Sequence, residues 1–210
     1  MMTATTPKKG MKAFKATKTG KFFHVRSTLL SPFYPGHAEA FKLAADMVLD
    51  SHEGATSGPH NDKLLYPTIY LYRHCLELKL KDLILLGVRI GNFTRDEKLN
   101  DILSRHELTR LWTKVKRFLQ VNYPEDTEQV SAVEAVVQEF HQIDRDGQTM
   151  RYDRDTNLRK RNYEHVPSHI SITNLRETME KVYSYLDGRY GGVLDWWDAM
   201  QEAARDAYDQ

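Results

Sequence analysis

Apolar residues recur at helical spacing along most of the chain, and little of it reads as strand. The densest run is residues 67–86, PTIYLYRHCLELKLKDLILL. At 100° per residue, Ile69, Tyr72, Leu76, Leu80 and Leu83 share one face, while Leu71, Cys75, Leu78 and Leu85 spread over much of the rest. A helix apolar over so much of its circumference must be surrounded by other elements. Its one polar strip is Arg73, His74, Glu77 and Lys81, in which Arg73 and Glu77 are four apart and can pair. Pro67 suits the first turn of this helix and Gly87 its end.

Flanking segments read as partners for it. Residues 37–50 predict a short amphipathic helix with Ala38, Phe41, Ala45 and Val48 inward, and residues 51–66, with Gly54, Gly58, Pro59, Asn61 and Asp62, predict a loop. A second irregular stretch runs to about residue 103. Ser104 and Glu107 then match a capping box for a helix with Leu108, Leu111, Trp112, Val115, Phe118 and Leu119 on one face. NYPED at 122–126 stops it, and Asp126 with Gln129 caps the next, with Val130, Val133, Val137 and Phe140 inward. Asp144 falls on that apolar face at the C-terminal end. A carboxylate there opposes the helix dipole and must meet a cation, Arg73 or Arg151. Residues 145–172 read as turns with a short hairpin around 149–172. Asn174 and Glu177 predict a cap for a helix carrying Leu175, Met179, Val182 and Leu186, which Gly188 ends. Val193, Trp196, Trp197, Met200 and Ala204 make a last amphipathic helix, whose tryptophans pack on the bundle or on a second subunit. The expectation is an all-α bundle of about six helices with a loop or short hairpin insertion near 145–172. Residues 1–35 form an N-terminal arm, 36–187 the body and 188–210 the C-terminal helix.

Composition adds mainly exclusions. A net charge of +1 sets up no global field toward nucleic acid or membrane, although no acidic residue precedes Glu39 while Lys8, Lys9, Lys12, Lys15, Lys18, Lys21 and Arg26 do. Phe14, Phe22 and Phe23 lie among those lysines. The arm is therefore either a contact for single-stranded nucleic acid or a solvated tail pinned by Phe22, Phe23 and Val25. The far end of the chain is acidic, with Asp195, Asp198, Glu202, Asp206 and Asp209 against Arg205. A single cysteine, Cys75, excludes an internal disulfide and suits a reducing cytoplasm. No apolar run is long enough to span a membrane, and the basic N-terminus lacks the apolar core of a signal peptide. No glycine-rich phosphate loop follows a strand, no G-x-S-x-G occurs, and the single cysteine allows no C-x-x-C. No metal and no cofactor is expected.

Two constellations remain. Arg73, His74 and Glu77 on the central helix, with Asp144 and then Arg151 and Tyr152, form either a lined pocket for a polar or anionic ligand or a structural ion-pair network. Arg159, Lys160, Arg161, Asn162, Tyr163, Glu164 and His165 form either a solvated basic loop or a site in which a guanidinium neutralises phosphate while an imidazole handles a proton.

LYRHCLELKLKDLIL at 71–85, HELTRLW at 106–112 and FHQIDRDGQTMRYDRD at 140–155 together resemble HEPN-like proteins (higher eukaryotes and prokaryotes nucleotide-binding), over about half the chain. That resemblance implies an antiparallel helical bundle, often a homodimer. Active members are metal-independent endoribonucleases of toxin–antitoxin and phage-defence systems with an R-x(4–6)-H motif, and others bind or scaffold without cleaving. Here Arg159 and His165 fit that spacing and would be the catalytic pair. Arg73, His74, Glu77, Asp144, Arg151 and Tyr152 would line the ligand site. The expected partners are RNA and a protein such as an antitoxin. Binding without cleavage, as a ligand-sensing or protein-interaction domain, is the alternative.

Overall fold

The computed structural model describes residues 36–53, 59–152 and 166–208. The chain divides into Met1–Tyr34 and Pro35–Gln210, and every described residue belongs to the second unit. The arm expected over 1–35 therefore lies outside the described residues. What is described is all-α: α1 (His37–Glu53), α2 (Pro59–Arg89), α3 (Glu97–Ser104), α4 (Leu108–Asn122), α5 (Thr127–Ile143) and α6 (Ile172–Tyr208). None of these is long and apolar enough to cross a membrane.

α2 is the central helix, packed against α1, α4 and α6, as its nearly all-round apolar surface requires. Tyr72, Leu76, Leu80, Leu83 and Ile84 are fully buried along it, and so is Cys75, whose thiol burial pushes up to about 12. The apolar faces read for α4 and α5 are the buried ones. α1 runs against α2, since Phe41 meets His74 while Asp46 accepts from the Tyr72 hydroxyl. α4 and α6 run with α2. Arg73 reaches the His106 carbonyl and Gly87 lies by Phe118; Lys79 pairs with Asp187 and Arg89 with Asp198. The short α3 returns the chain so that α4 can start level with Arg73.

Helix ends depart from the sequence reading, each for a tertiary reason. Pro67 does not open α2; the helix begins at Pro59 and passes through it. A proline inside a helix costs about 3 kcal/mol. Leu65 and Tyr66 pack against the core and offset it, and the Thr68 hydroxyl donates to the Leu64 carbonyl at 2.7 Å. Gly87 does not end the helix. A Cβ there would lie 2.6 Å from the Phe93 ring, so Gly87 makes room for the chain folding back. The stop is Gly91, with φ of +82°, after which Asn92 and Phe93 donate their amides to the Gly87 carbonyl. α3 was read as irregular, yet Asp96 caps it by accepting from the Leu99 amide at 2.7 Å. Ser104 ends α3 rather than capping α4, its hydroxyl donating to the Asp101 carbonyl.

α6 is the largest departure. Its cap is Ser171, whose hydroxyl accepts from the Asn174 amide, and the helix runs unbroken through Gly188, Gly191 and Gly192 for 37 residues. Residues 188–210 are thus no separate helix. Neighbouring side chains hold the glycine turn: Lys79 pairs with Asp187, and Arg189 donates to the buried Asp126 carboxylate, which also accepts from the Tyr185 hydroxyl. That tie turns Asp126 away from capping α5. No strand occurs among the described residues; 145–147 bend, 149–151 turn and 166–169 bend, and 153–165 of the expected hairpin lie outside them.

A Cβ added at Gly188 meets nothing, whereas one at Gly192 would sit 2.8 Å from the Tyr123 hydroxyl. Gly188→Ala should therefore raise stability by about 0.5–1 kcal/mol. Gly192→Ala should lower it, by displacing Tyr123 from the Arg189 carbonyl to which it donates. The urea midpoints of the two variants, moving in opposite directions, check this.

One titration belongs to the same α2–α6 seam. Burial pushes the Asp82 carboxyl up to about 6, against the pull of Lys79 and His37. The folded chain thus holds this proton more tightly than the unfolded one, and stability falls as pH rises from about 4 to about 6. Asp82→Asn should melt higher than wild type at pH 7, by on the order of 1–2 kcal/mol, since the carboxyl is partly in solvent. The difference should vanish near pH 4 in a calorimetric series.

Candidate functional site

Arg73 lies in the middle of α2, and its guanidinium is buried. Nε donates to the Asp144 carbonyl at 3.0 Å, Nη1 to Glu77 Oε2 at 3.1 Å and Nη2 to the His106 carbonyl at 2.6 Å. Asp144 is wholly buried at the C-cap of α5. Its Oδ1 accepts from the Thr149 amide, and its Oδ2 lies 3.3 Å from Arg73 Nε. This second contact is an ion pair without hydrogen-bond geometry, because the Nε hydrogen points at the Asp144 carbonyl. Of the two cations expected for Asp144, the structure brings Arg73. The guanidinium charge also offsets the unfavourable meeting of a carboxylate with the helix C-terminus. Gly147, with φ of +79°, covers the guanidinium so closely that a Cβ would lie 3.2 Å from Nη1.

Glu77, one turn on, is buried too. Its Oε1 receives Lys81 Nζ at 2.8 Å and lies 2.8 Å from His106 Nδ1. Burial pushes this carboxyl up, but Lys81 and His106 outweigh it and hold the group below its ordinary range. Arg73 therefore joins Glu77 and Asp144, and all three are closed to solvent.

The other half of the strip is partly exposed. His74 is half-buried, edge-on to Phe41 at 4.4 Å and stacked on Tyr70 at 5.9 Å. Burial lowers its pKa, against the pull of Glu77. Arg151 is exposed and does not join Asp144. Its guanidinium lies over the Tyr70 ring at 5.8 Å and the Tyr152 ring at 5.2 Å, and it donates to the Tyr152 hydroxyl and to Gln148 Oε1. The structure thus gathers all six candidate ligand residues around one strip of α2, but as two layers: a closed charged floor and a partly exposed face of Arg151, Tyr152, Tyr70 and His74. Lys81 and the exposed His106 mark its other end.

Tyr70 and His106 were not among the sequence candidates. Tyr70 precedes His74 by four residues, so helical spacing alone places it on the strip. His106 lies just before α4, and nothing in its spacing points to Glu77. Arg159 and His165, with Arg154, Lys160 and Arg161, lie outside the described residues. Among the described residues no group of three or more His, Cys, Asp and Glu is placed to hold a metal ion. No family model, no curated protein and no solved structure matches the chain.

Asp144→Ala would leave the Arg73 guanidinium buried beside one fewer carboxylate and strip the Thr149 amide of its acceptor. The loss should be on the order of 3 kcal/mol. Chemical denaturation reads it directly; an unchanged midpoint would contradict the buried pair.

Proposed function

We propose that this chain is a HEPN-like protein that binds single-stranded RNA across the partly exposed face of the α2 strip. One observation carries the reading: an exposed guanidinium, Arg151, is held over two tyrosine rings, one of which stacks on a histidine. Stacked aromatic faces with an adjoining cation take unpaired bases with little regard to sequence, while the cation meets phosphate. Lys81 and His106 extend the same strip with further donors. The buried floor supports this reading, since it fixes the turn from which Arg151 and Tyr152 project.

The finer proposal is metal-independent cleavage. Arg159 follows Tyr152 by seven residues in the sequence and His165 directly precedes Val166. His165 would take the proton of a ribose 2′-hydroxyl and Arg159 would neutralise charge developing on the phosphate. Defence or toxin–antitoxin work is the context that such an activity suits. A second reading, binding without cleavage, is favoured by the burial and ion pairing of Arg73, Glu77 and Asp144 within the fold: what is built around them is a surface rather than a reactive centre.

Fluorescence anisotropy with a labelled single-stranded RNA tests the binding. Arg151→Ala and Tyr152→Ala should each weaken it by about 5- to 150-fold, the cost of about 1–3 kcal/mol per stacked base. Arg151→Ala should also flatten the log–log salt dependence by about 0.7. Affinities indistinguishable from wild type would overturn the site. In EDTA, His165→Ala should reduce cleavage by about 10²–10⁴ while binding persists. Tight binding with no cleavage by the wild type selects the second reading.

A further inference from the structure

The end of α6 has no partner within the described chain. Val193 is its last buried residue, and every residue from Asp198 to Ala207 is exposed. Arg89, the last residue of α2, pairs with Asp198 across solvent. Beyond that pair α6 runs on for ten residues, about 15 Å at 1.5 Å per residue. From Asp195 onward this end of α6, the stub, carries two stripes. Trp196, Met200, Ala203 and Ala207 make the apolar one, with Trp196 54% and Met200 52% exposed. Asp195, Asp198, Glu202 and Asp206 make the acidic one, about 120° round the helix.

A matching surface exists on α4. That helix carries Arg110, Lys114, Lys116 and Arg117 and no acidic residue. Lys116 is held by Glu134 of α5, and Arg110 lies 3.3 Å from Asp101 in solvent. Lys114 and Arg117 have no ion pair among the described residues. Arg110, Lys114, Arg117 and Val121 fall on one line of the helix, and Val121 is 66% exposed. Charges at intervals of three or four residues on both helices can register side by side. Within one chain they do not meet, because Tyr123, at the end of α4, already lies beside Gly192 and the stub continues past it.

We infer that a second copy of the chain covers the stub: the acidic, apolar end of α6 in each copy lies along the cationic face of α4 in the other. Opposite charge selects that face over a second α6 stub, which would bring acidic stripes together. The exchange is two-fold, so that each copy gives one stub and receives one, and the assembly closes at two. It uses none of the residues of the proposed RNA strip, so neither reading depends on the other.

Sedimentation equilibrium with charge reversal tests it. The wild type at about 50 µM and low salt, well above a micromolar Kd, should be a dimer. It should dissociate as NaCl rises to about 0.5 M, where charge is screened within about 4 Å. Lys114→Glu with Arg117→Glu should give a monomer, and so should Glu202→Lys with Asp206→Lys. An equimolar mixture of these two proteins should dimerise again, since each acidic surface then faces a basic one. All the substituted residues are at least partly solvent-exposed, and far-UV circular dichroism equal to wild type verifies the fold. A monomeric wild type, a dimer that neither reversal disturbs, or a mixture that stays monomeric would each overturn the inference. An open-ended series of species would overturn the closed exchange.

Discussion

A guanidinium taken out of water must find acceptors wherever its nitrogens point, and in this bundle Arg73 finds them on three different segments. The Asp144 carbonyl closes α5, the His106 carbonyl precedes α4, and Glu77 belongs to α2 itself. Leaving such a charge with a missing partner costs several kcal/mol, so the three segments are bound to one geometry. Position follows from this rather than from apolar packing, which tolerates small slides. The turn after α5 is set against α2, and with it the Arg151 and Tyr152 side chains are set against Tyr70 and His74.

A second polar knot closes the far side. Asp126, buried before α5, receives the Tyr185 hydroxyl and Arg189, and the Arg189 guanidinium lies 4.4 Å from the Tyr123 ring centre. The two knots sit at the two ends of α5 and act in the same manner: each trades a local role for a tertiary one. Asp126 gives up capping, and Asp144 sits at a helix end that its charge does not suit. Local propensity is overruled where a buried ion has to be matched.

The same conflict explains what could be read from residues alone. The inward faces of α4 and α5 were legible because apolar spacing and burial have one cause. Asp144 was legible as a buried, paired carboxylate because it fell on such a face. Its partner was not: Arg73 and Arg151 are both near enough in principle, and the choice rests on where the turn at Gly147 leads. Helix ends were read least well. Gly87, Ser104 and Gly188 are all plausible boundaries in one dimension. Gly87 instead makes room for Phe93, Ser104 ends α3 instead of opening α4, and Gly188 is carried through by the ties at Asp187 and Arg189. The pairing of His106 with Glu77 had no sequence signal, since the two are 29 residues apart with another helix between them.

Cys75 gives the fold a built-in clock. The only thiol of the chain is closed off in the middle of α2, and burial holds it in the protonated, unreactive form. Alkylating reagents reach it only when the central helix parts from its neighbours. The rate at which the thiol is captured therefore counts the openings of the core itself, without interference from fraying at the ends.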